Sequence, residues 1–297
     1  MDISIIQFLI NALALGGVYA LTTLGLVIVF GIMRLVNFAY GELLMVAGYT
    51  LWVLTNRGVP WLLATVIGIG VALIAALVME RVGFRRLREA KPATLLITSF
   101  ALSSVLQTAA VVYVFPKPVP VPMPGIFVQN YQIGNLLIPK IDILSIVVSI
   151  MVLIVLTLFL KRTLMGISLR AAAEDFTTTR LMGIRADSVV STAFAIQGLL
   201  AGIVVILWMG SSAVVYPTIG LVPVLIAFMA GIVGGMENLT GAVVGGFLVG
   251  FLFTALASIL PSEFQAYRQA ILFGIVVLIL VFKPEGLIRS TYTQEVR

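Results

Sequence analysis

The chain has 297 residues, of which 61% are hydrophobic and 10% charged, with a net charge of +6 and neither cysteine nor histidine. A soluble domain carries roughly a quarter charged residues, so a water-soluble globular protein is excluded. Disulfides, thiolate metal ligands and histidine general bases are excluded by the missing residue types.

The few charges are clustered. None falls within residues 3–33, 58–79, 92–116 or 143–160, and each run can cross a bilayer as a helix, which takes about 20 residues. Residues 188–236 are also uncharged, too long for one span, and must fold back. No basic segment precedes the first apolar run, which reads as a retained span rather than a cleaved signal. In chain order the expected spans are 5–30, 38–54, 61–79, 94–115, 143–160, 189–209, 219–235, 239–260 and 269–282. The fold class is an all-α integral membrane protein: a polytopic bundle of eight or nine transmembrane helices, some short or broken. It forms one transmembrane domain over 1–297.

Turn chemistry marks the breaks. Gly210-Ser211-Ser212 through Tyr216-Pro217 to Gly220 interrupts the long uncharged run. Alternate prolines from Pro116 to Pro124 cannot sustain a helix and predict an extended outer loop, with a short hairpin around 125–138. A long span, a polar break and a short span occur twice, over 5–54 and 189–235, as in transporters built from related halves. Gly198/Gly202, Gly231/Gly235, Gly241/Gly245 and Gly246/Gly250 are each four apart, predicting close helix packing within the bundle.

With the N-terminus outside, the inner loops hold Arg34, Arg81, Arg85, Arg86, Arg88, Lys91, Lys161, Arg162, Arg170, Arg180, Arg185, Lys283, Arg289 and Arg297. Arg57, Lys117, Lys140 and Arg268 lie outside, an asymmetry that follows the positive-inside rule. The basic residues therefore orient a membrane protein rather than bind nucleic acid. A re-entrant half-helix over 38–54 is the alternative, which would place the N-terminus in the cytoplasm.

The available chemistry is narrow. There is no phosphate-binding loop, no His-Glu-x-x-His helix, and Asp2, Asp142, Asp175 and Asp187 all lie at segment ends or in loops. Glu42 and Glu237 are the carboxylates nearest a span interior. Glu42 either complements the first turns of a helix that begins near Asn37 or, with Asn37, Phe38 and Gly41, lines or supports a solute path. Glu237 reads as a helix-end residue. Broken helices are where transporters bind polar solutes, which adds Ser211, Ser212 and Tyr216 to the candidate pathway.

The loop 161–187 is the most informative segment. Leu169, Ala172, Ala173, Phe176 and Arg180 share one helical face, and Gly183 stops it. Such a helix either lies on lipid headgroups or inserts into a protein groove, and an alanine face with one phenylalanine favours the groove.

Four blocks resemble the permease subunits of branched-chain amino acid ATP-binding-cassette importers. They are Gly17-Val18-Tyr19-Ala20-Leu21, Asn37-Phe38-Ala39-Tyr40-Gly41-Glu42, the loop with Ala173-Glu174-Asp175 and Leu181-Met182-Gly183-Ile184, and the C-terminal Gly234-Gly235-Met236 with Lys283-Pro284-Glu285-Gly286-Leu287. They occur in the family's order along the whole chain. Tyr40 stands where that family often has histidine.

The resemblance implies one membrane subunit of an importer in the bacterial inner membrane, with a cytoplasmic C-terminus. Its partners would be two cytoplasmic ATPases, a second and longer permease, and a periplasmic or tethered solute-binding protein. The chain itself would bind no cofactor, ATP and magnesium residing on the ATPases. Arg170, Ala173, Glu174, Asp175, Phe176, Leu181 and Gly183 would form the coupling joint, Ala173 and Phe176 filling the ATPase groove. The implied solute is a branched-chain or other neutral amino acid, with urea or short amides as alternatives. An ion-gradient transporter, a channel and a membrane enzyme are the rival readings.

Overall fold

The computed structural model describes residues 5–88, 90–133, 136–283 and 286–288. Helix α1 (Ile5–Met33) is followed by the shorter α2 (Tyr40–Asn56) and by α3 (Trp61–Met79), which continues through a π-helical turn (Glu80–Phe84) and a 3-10 turn (Arg85–Leu87). Next come α4 (Pro92–Tyr113), strand β1 (Val119–Pro120), the single turn α5 (Gly125–Val128), and the hairpin β2 (Asn130–Ile133) and β3 (Leu136–Pro139). The second half holds α6 (Lys140–Arg162), α7 (Leu164–Glu174), α8 (Phe176–Leu181), α9 (Ala186–Ser212), β4 (Val214–Val215), α10 (Leu221–Gly234), α11 (Leu239–Ile259) and α12 (Arg268–Phe282).

Among the described residues, seven helices are long and apolar enough to cross a membrane: α1, α3 with the turns after it, α4, α6, α9, α11, and α12 with the 3-10 turn before it. The chain is thus a multi-pass membrane protein, and α2 and α10 are the two short helices expected from the breaks. The hairpin expected after the proline run is β2–β3, and β1 of that run pairs antiparallel with β4 beyond α9.

Helix α1 is the axis of the bundle. From Tyr19 to Val29 every residue is buried, so its apolar surface continues all round, as in a helix enclosed by others. Glycine sets how closely its neighbours approach. A Cβ at Gly246 or Gly250 of α11 would sit 2.4 Å from the Ala20 Cα and 2.3 Å from the Gly16 Cα of α1. Lipid supplies no hydrophobic drive between helices, so this backbone approach is what dispersion and packing can use. Helices α4, α6 and α12 are peripheral and turn large apolar side chains outward, among them Ile97, Val105, Val147, Ile154 and Val281.

The two breaks meet. The chain leaves α1 at Arg34, which pairs with Glu237 in the α10–α11 turn, and then re-enters the bundle. Helix α2 begins beside the middle of α1: a Cβ at Gly25 would strike the Tyr40 ring. After α9 the chain turns back at Ala213, and α10 begins where Gly220 touches Gly41. A Cβ at Gly220 would lie 1.9 Å from the Gly41 carbonyl oxygen, so only glycine fits the crossing. From it α2 runs to one end of the bundle and α10 to the other. The repeated long–break–short pattern is therefore an inverted pair, α1–α2 and α9–α10.

The ends differ in charge. The Arg34–Glu237 pair, the Arg85–Asp187 and Arg88–Asp187 pairs, α7, α8 and Gly286 gather at one end. The hairpin, β1–β4, and the start of α1, where Gln7 donates to the Leu137 carbonyl, gather at the other. The segment 34–56 crosses from the basic end to the opposite end as a non-helical connection, residues 34–39, plus a half-helix. It is a crossing, not a re-entrant loop, so the N-terminal helix starts at the end opposite the basic one.

Candidate coupling surface and membrane pathway

The loop after α6 is built as a rigid reversal. Thr163 ends α6 and caps α7, its Oγ accepting the Gly166 N–H at 3.0 Å. Gly166 packs against the last turn of α6, where an added Cβ would lie 2.3 Å from the Phe159 carbonyl oxygen. The Arg170 Nε donates to the Leu160 carbonyl at 3.0 Å, so a carbonyl left unpaired at the end of α6 is satisfied from α7.

The single helix expected over 169–180 is two helices. Asp175 adopts extended backbone and accepts the N–H groups of Thr177 and Thr178 at 2.9 and 3.0 Å, starting α8 as its N-cap. The hydrogen bond from the Thr178 hydroxyl, with those backbone bonds, holds the Asp175 carboxyl below the usual carboxylate range. A side-chain cap followed by three threonines competes with continuation of α7.

The faces also differ from expectation. Leu169 and Ala172 are buried, Ala173 approaches Gly31, and Phe176 is half-buried against the chain's own core. These residues seat the loop on the bundle rather than point away from it. What projects is Glu174, Asp175, and the apolar tip Leu181 and Met182, 84% and 78% exposed. Gly183 ends the tip at φ +84°, a backbone conformation suited to glycine, as expected of a helix stop.

The N-terminal candidate residues Asn37, Gly41 and Glu42 converge at the crossing of the half-helices. Asn37 and Glu42 are fully buried, and Gly41 lies against Gly220. Asn37 Nδ2 donates to Gln197 Oε1 at 3.0 Å. Glu42 sits in the first turn of α2 and accepts at Oε1 from Ser103 Oγ and Gln107 Nε2, both at 2.8 Å. Phe38 instead reaches outward, stacked on Phe100 at 4.6 Å and tilted against Phe228. Ser211 and Ser212 are exposed at the end of α9, away from the crossing, and Tyr216 is half-buried between β4 and α10.

Sequence reasoning missed Ser103, Gln107, Gln197 and Glu80. Ser99, Ser103 and Gln107 recur every four residues in an otherwise apolar helix, a signal that was present. Glu80 is buried within the π-helical turn, ion-paired with Arg88 and accepting from Ser191 Oγ at 3.1 Å. Glu237 takes the helix-end position expected of it, paired with Arg34.

Comparisons agree with this architecture. Residues 8–280 match the model of the family described as branched-chain amino acid transport system / permease component. The chain is 31% identical over 303 residues to the high-affinity branched-chain amino acid transport system permease protein BraD of Pseudomonas aeruginosa, covering 98% of each. Identity to the corresponding permease LivH of Escherichia coli K12 is 28%, over 98% of this chain and 97% of that one. A probable LivH of Methanocaldococcus jannaschii is 28% identical over 93% and 90%. Among solved structures, PsaBC from Streptococcus pneumoniae in complex with Fab has the same fold, with a TM-score of 0.51 at 10% identity, covering 94% of this chain and 92% of that one. With nearly its whole length matched in family order, the chain belongs to the permease component family of branched-chain amino acid transport systems.

Proposed function

We propose that this chain is one membrane subunit of an ATP-driven importer that carries branched-chain or other neutral amino acids into a bacterial cell. The observation that carries this reading is the near-complete match to amino acid permeases, combined with a rigid loop that holds an apolar tip clear of the bundle. The basic end faces the cytoplasm, in line with the positive-inside rule, and the C-terminus lies on that side of the inner membrane. Partners are two cytoplasmic ATPases, which hold ATP and magnesium, a second permease related to this one but longer, and a periplasmic or tethered solute-binding protein.

The coupling joint comprises Arg170, Ala173, Glu174, Asp175, Phe176, Leu181 and Gly183. Leu181 enters the ATPase groove, and Glu174 and Asp175 face its polar rim. Ala173, Phe176 and Arg170 fasten the loop to α1 and α6, so closure of the ATPase pair moves membrane helices and the cavity changes the side it faces. On the solute path, Phe38 forms the wall, with Asn37, Gly41 and Glu42 supporting it from behind. Ser211, Ser212 and Tyr216 stand at its outer mouth.

The test is to purify the tagged chain from its native membrane and assay nucleotide hydrolysis. Recovery of an ATPase stimulated by a binding protein and leucine supports the reading. Recovery of the chain without hydrolysis, with uptake that follows an ion gradient, overturns it in favour of a secondary transporter.

A further inference from the structure

Helix α4 is held in an unusual way. Its flanks expose Leu96, Ile97, Phe100, Val105, Val111 and Val112. The stripe it turns inward is Leu95, Ser99, Ser103 and Ala110, with Gln107 half-buried on the same line. These residues are three or four apart and form one helix face, yet that face is mostly small or polar. The apolar contacts of α4 with the core are Leu95, which is buried, and Leu102 and Leu106, which are half-buried, so small and polar groups share the seam with them. The side-chain hydrogen bonds of α4 to α2 are those of Ser103 and Gln107, and both converge on the single oxygen Glu42 Oε1. Gln107 also donates to Ser103 Oγ at 3.1 Å, so the three groups form one cluster. Glu42 is 2% exposed and roofed by α4, and its other carboxylate oxygen has no partner among the described residues.

The N-terminal approach to α4 is tied to the coupling loop. Arg88, just ahead of the helix, pairs with Glu80 at the end of α3 and with Asp187 in the first turn of α9, the helix that the α7–α8 loop leads into. Arg88 thus joins the end of α3 to the start of α9 just ahead of α4. Phe100 of α4 covers Phe38, so a shift of α4 also uncovers the candidate path wall.

We propose that Glu42 is a positioning residue: it latches α4 onto α2, and α4 is the helix that moves when the pathway opens. The proposal rests on the importer reading. While α4 is in place, Glu42 cannot touch a solute. Interhelical hydrogen bonds in membranes are individually weak, so a seam of two can release and re-form during a cycle.

The experiment uses the whole transporter in proteoliposomes, comparing Glu42→Gln, Glu42→Leu and Ser103→Ala/Gln107→Leu. One readout is uptake of radiolabelled leucine, resolved into kcat and KM. The other is the distance between nitroxides at Thr108→Cys on α4 and Asn56→Cys at the end of α2, both exposed in a chain without cysteine. This chain is labelled before assembly, and the distance is measured at rest and after trapping with ATP and vanadate.

In the wild type the resting distance is narrow and shifts on trapping. Glu42→Leu and the double variant broaden it at rest and lower kcat roughly five- to tenfold, the factor for losing two such hydrogen bonds, with KM unchanged. Glu42→Gln, which keeps an acceptor for both donors, retains most of the rate and the narrow distance. A raised KM with an unaltered resting distance would make Glu42 part of the solute site and overturn the proposal. So would a distance that is the same in every variant and state. If Glu42→Leu does not assemble, the Ser103/Gln107 variant decides alone. Absence of ATP-dependent uptake in the wild type would refute the importer reading, while the resting distances would still test the latch.

Discussion

Asn37 and Gln197 are bonded to each other across 160 residues of sequence, Nδ2 to Oε1 at 3.0 Å, and neither has exposed surface. The bond joins the non-helical connection before α2 to the middle of α9. It therefore ties one half of the inverted pair to the other just ahead of the point where Gly41 meets Gly220.

Breaking that bond from one side strands a buried amide. Gln197→Leu is expected to cost about 1–3 kcal/mol, the penalty for a buried polar group without its partner. The double variant Asn37→Leu/Gln197→Leu should cost less than the two single changes summed, because it leaves no orphan. Unfolding free energies of the four proteins in detergent, compared as a double-mutant cycle, check this. Additive losses would mean the amides act independently.

Space, not backbone conformation, governs the Gly41–Gly220 crossing. Gly220→Ala drives a methyl into the facing peptide and should destabilise by about 1–3 kcal/mol or more, the range for overpacking. Gly70→Ala is the matched control, since a Cβ there meets nothing within 4 Å and the residue lies inside a helix. Alanine there should be neutral or slightly stabilising. Thermal unfolding of the two variants separates them; equal losses would refute the close-contact account.

Much of this architecture is legible in one sequence. Uncharged runs locate the spans to within a few residues, because each helix must bury or lipidate all its surface. Asn37–Gly41 and Gly210–Gly220 announce the breaks to within a few residues, although α9 runs on through Gly210-Ser211-Ser212 and the chain turns only at Ala213. What periodicity does not see is the choice of partner. Nothing in α4 says that Ser103 and Gln107 face Glu42, and nothing in α9 says that Gln197 faces Asn37, because pairing is settled by packing between distant segments. Asp175 fails differently. The apolar pattern runs through it, but its carboxylate caps the next helix and divides the loop. Glu80 was hidden by position, because a charge at the end of an apolar run reads as a boundary while the helix continues through a π-turn around it.

The Arg88–Glu80 pair is buried and should respond asymmetrically. The Arg88 and Glu80 side chains are 12% and 3% exposed, whereas Asp187 is 56% exposed. Arg88→Met leaves Glu80 an uncompensated buried charge, a loss of about 3–5 kcal/mol. Adding Glu80→Gln should recover much of it, and Asp187→Asn alone should change little, since exposed pairs are screened. Melting temperatures of the three variants test the ranking, and an Asp187 variant as damaging as Arg88→Met would contradict it.

Asp175 gives the α7–α8 loop a defined pH response. Its pKa is lowered by the Thr178 hydroxyl and by the backbone bonds from Thr178 and Thr177, so the folded loop favours the ionised form. The resulting stability is present above the unfolded carboxylate value of about 3.9 and is lost as pH falls through the lower folded value. Amide protection at Thr177 and Thr178, corrected for intrinsic exchange, should be level from neutral pH down to about 4 and fall below it. Asp175→Asn, also a good cap, should flatten that fall, and Asp175→Ala should expose both amides at neutral pH.

Leu181 and Phe176 lie five residues apart and should fail in different ways. Phe176 packs on the chain's own core, so Phe176→Asp buries a charge at the seat of the loop and should lower both the melting temperature and ATPase recovery. Leu181 is exposed and touches little of its own chain, so Leu181→Asp should leave the melting temperature where it was. It should nonetheless reduce the ATPase recovered with the chain, because an exposed apolar residue at the end of a braced helix gains most by entering a partner's groove. Loss of ATPase with Phe176→Asp but full recovery with Leu181→Asp would move the contact from the tip back to the face of α7. The loop would then have to lift from the bundle to bind, rather than bind where it stands.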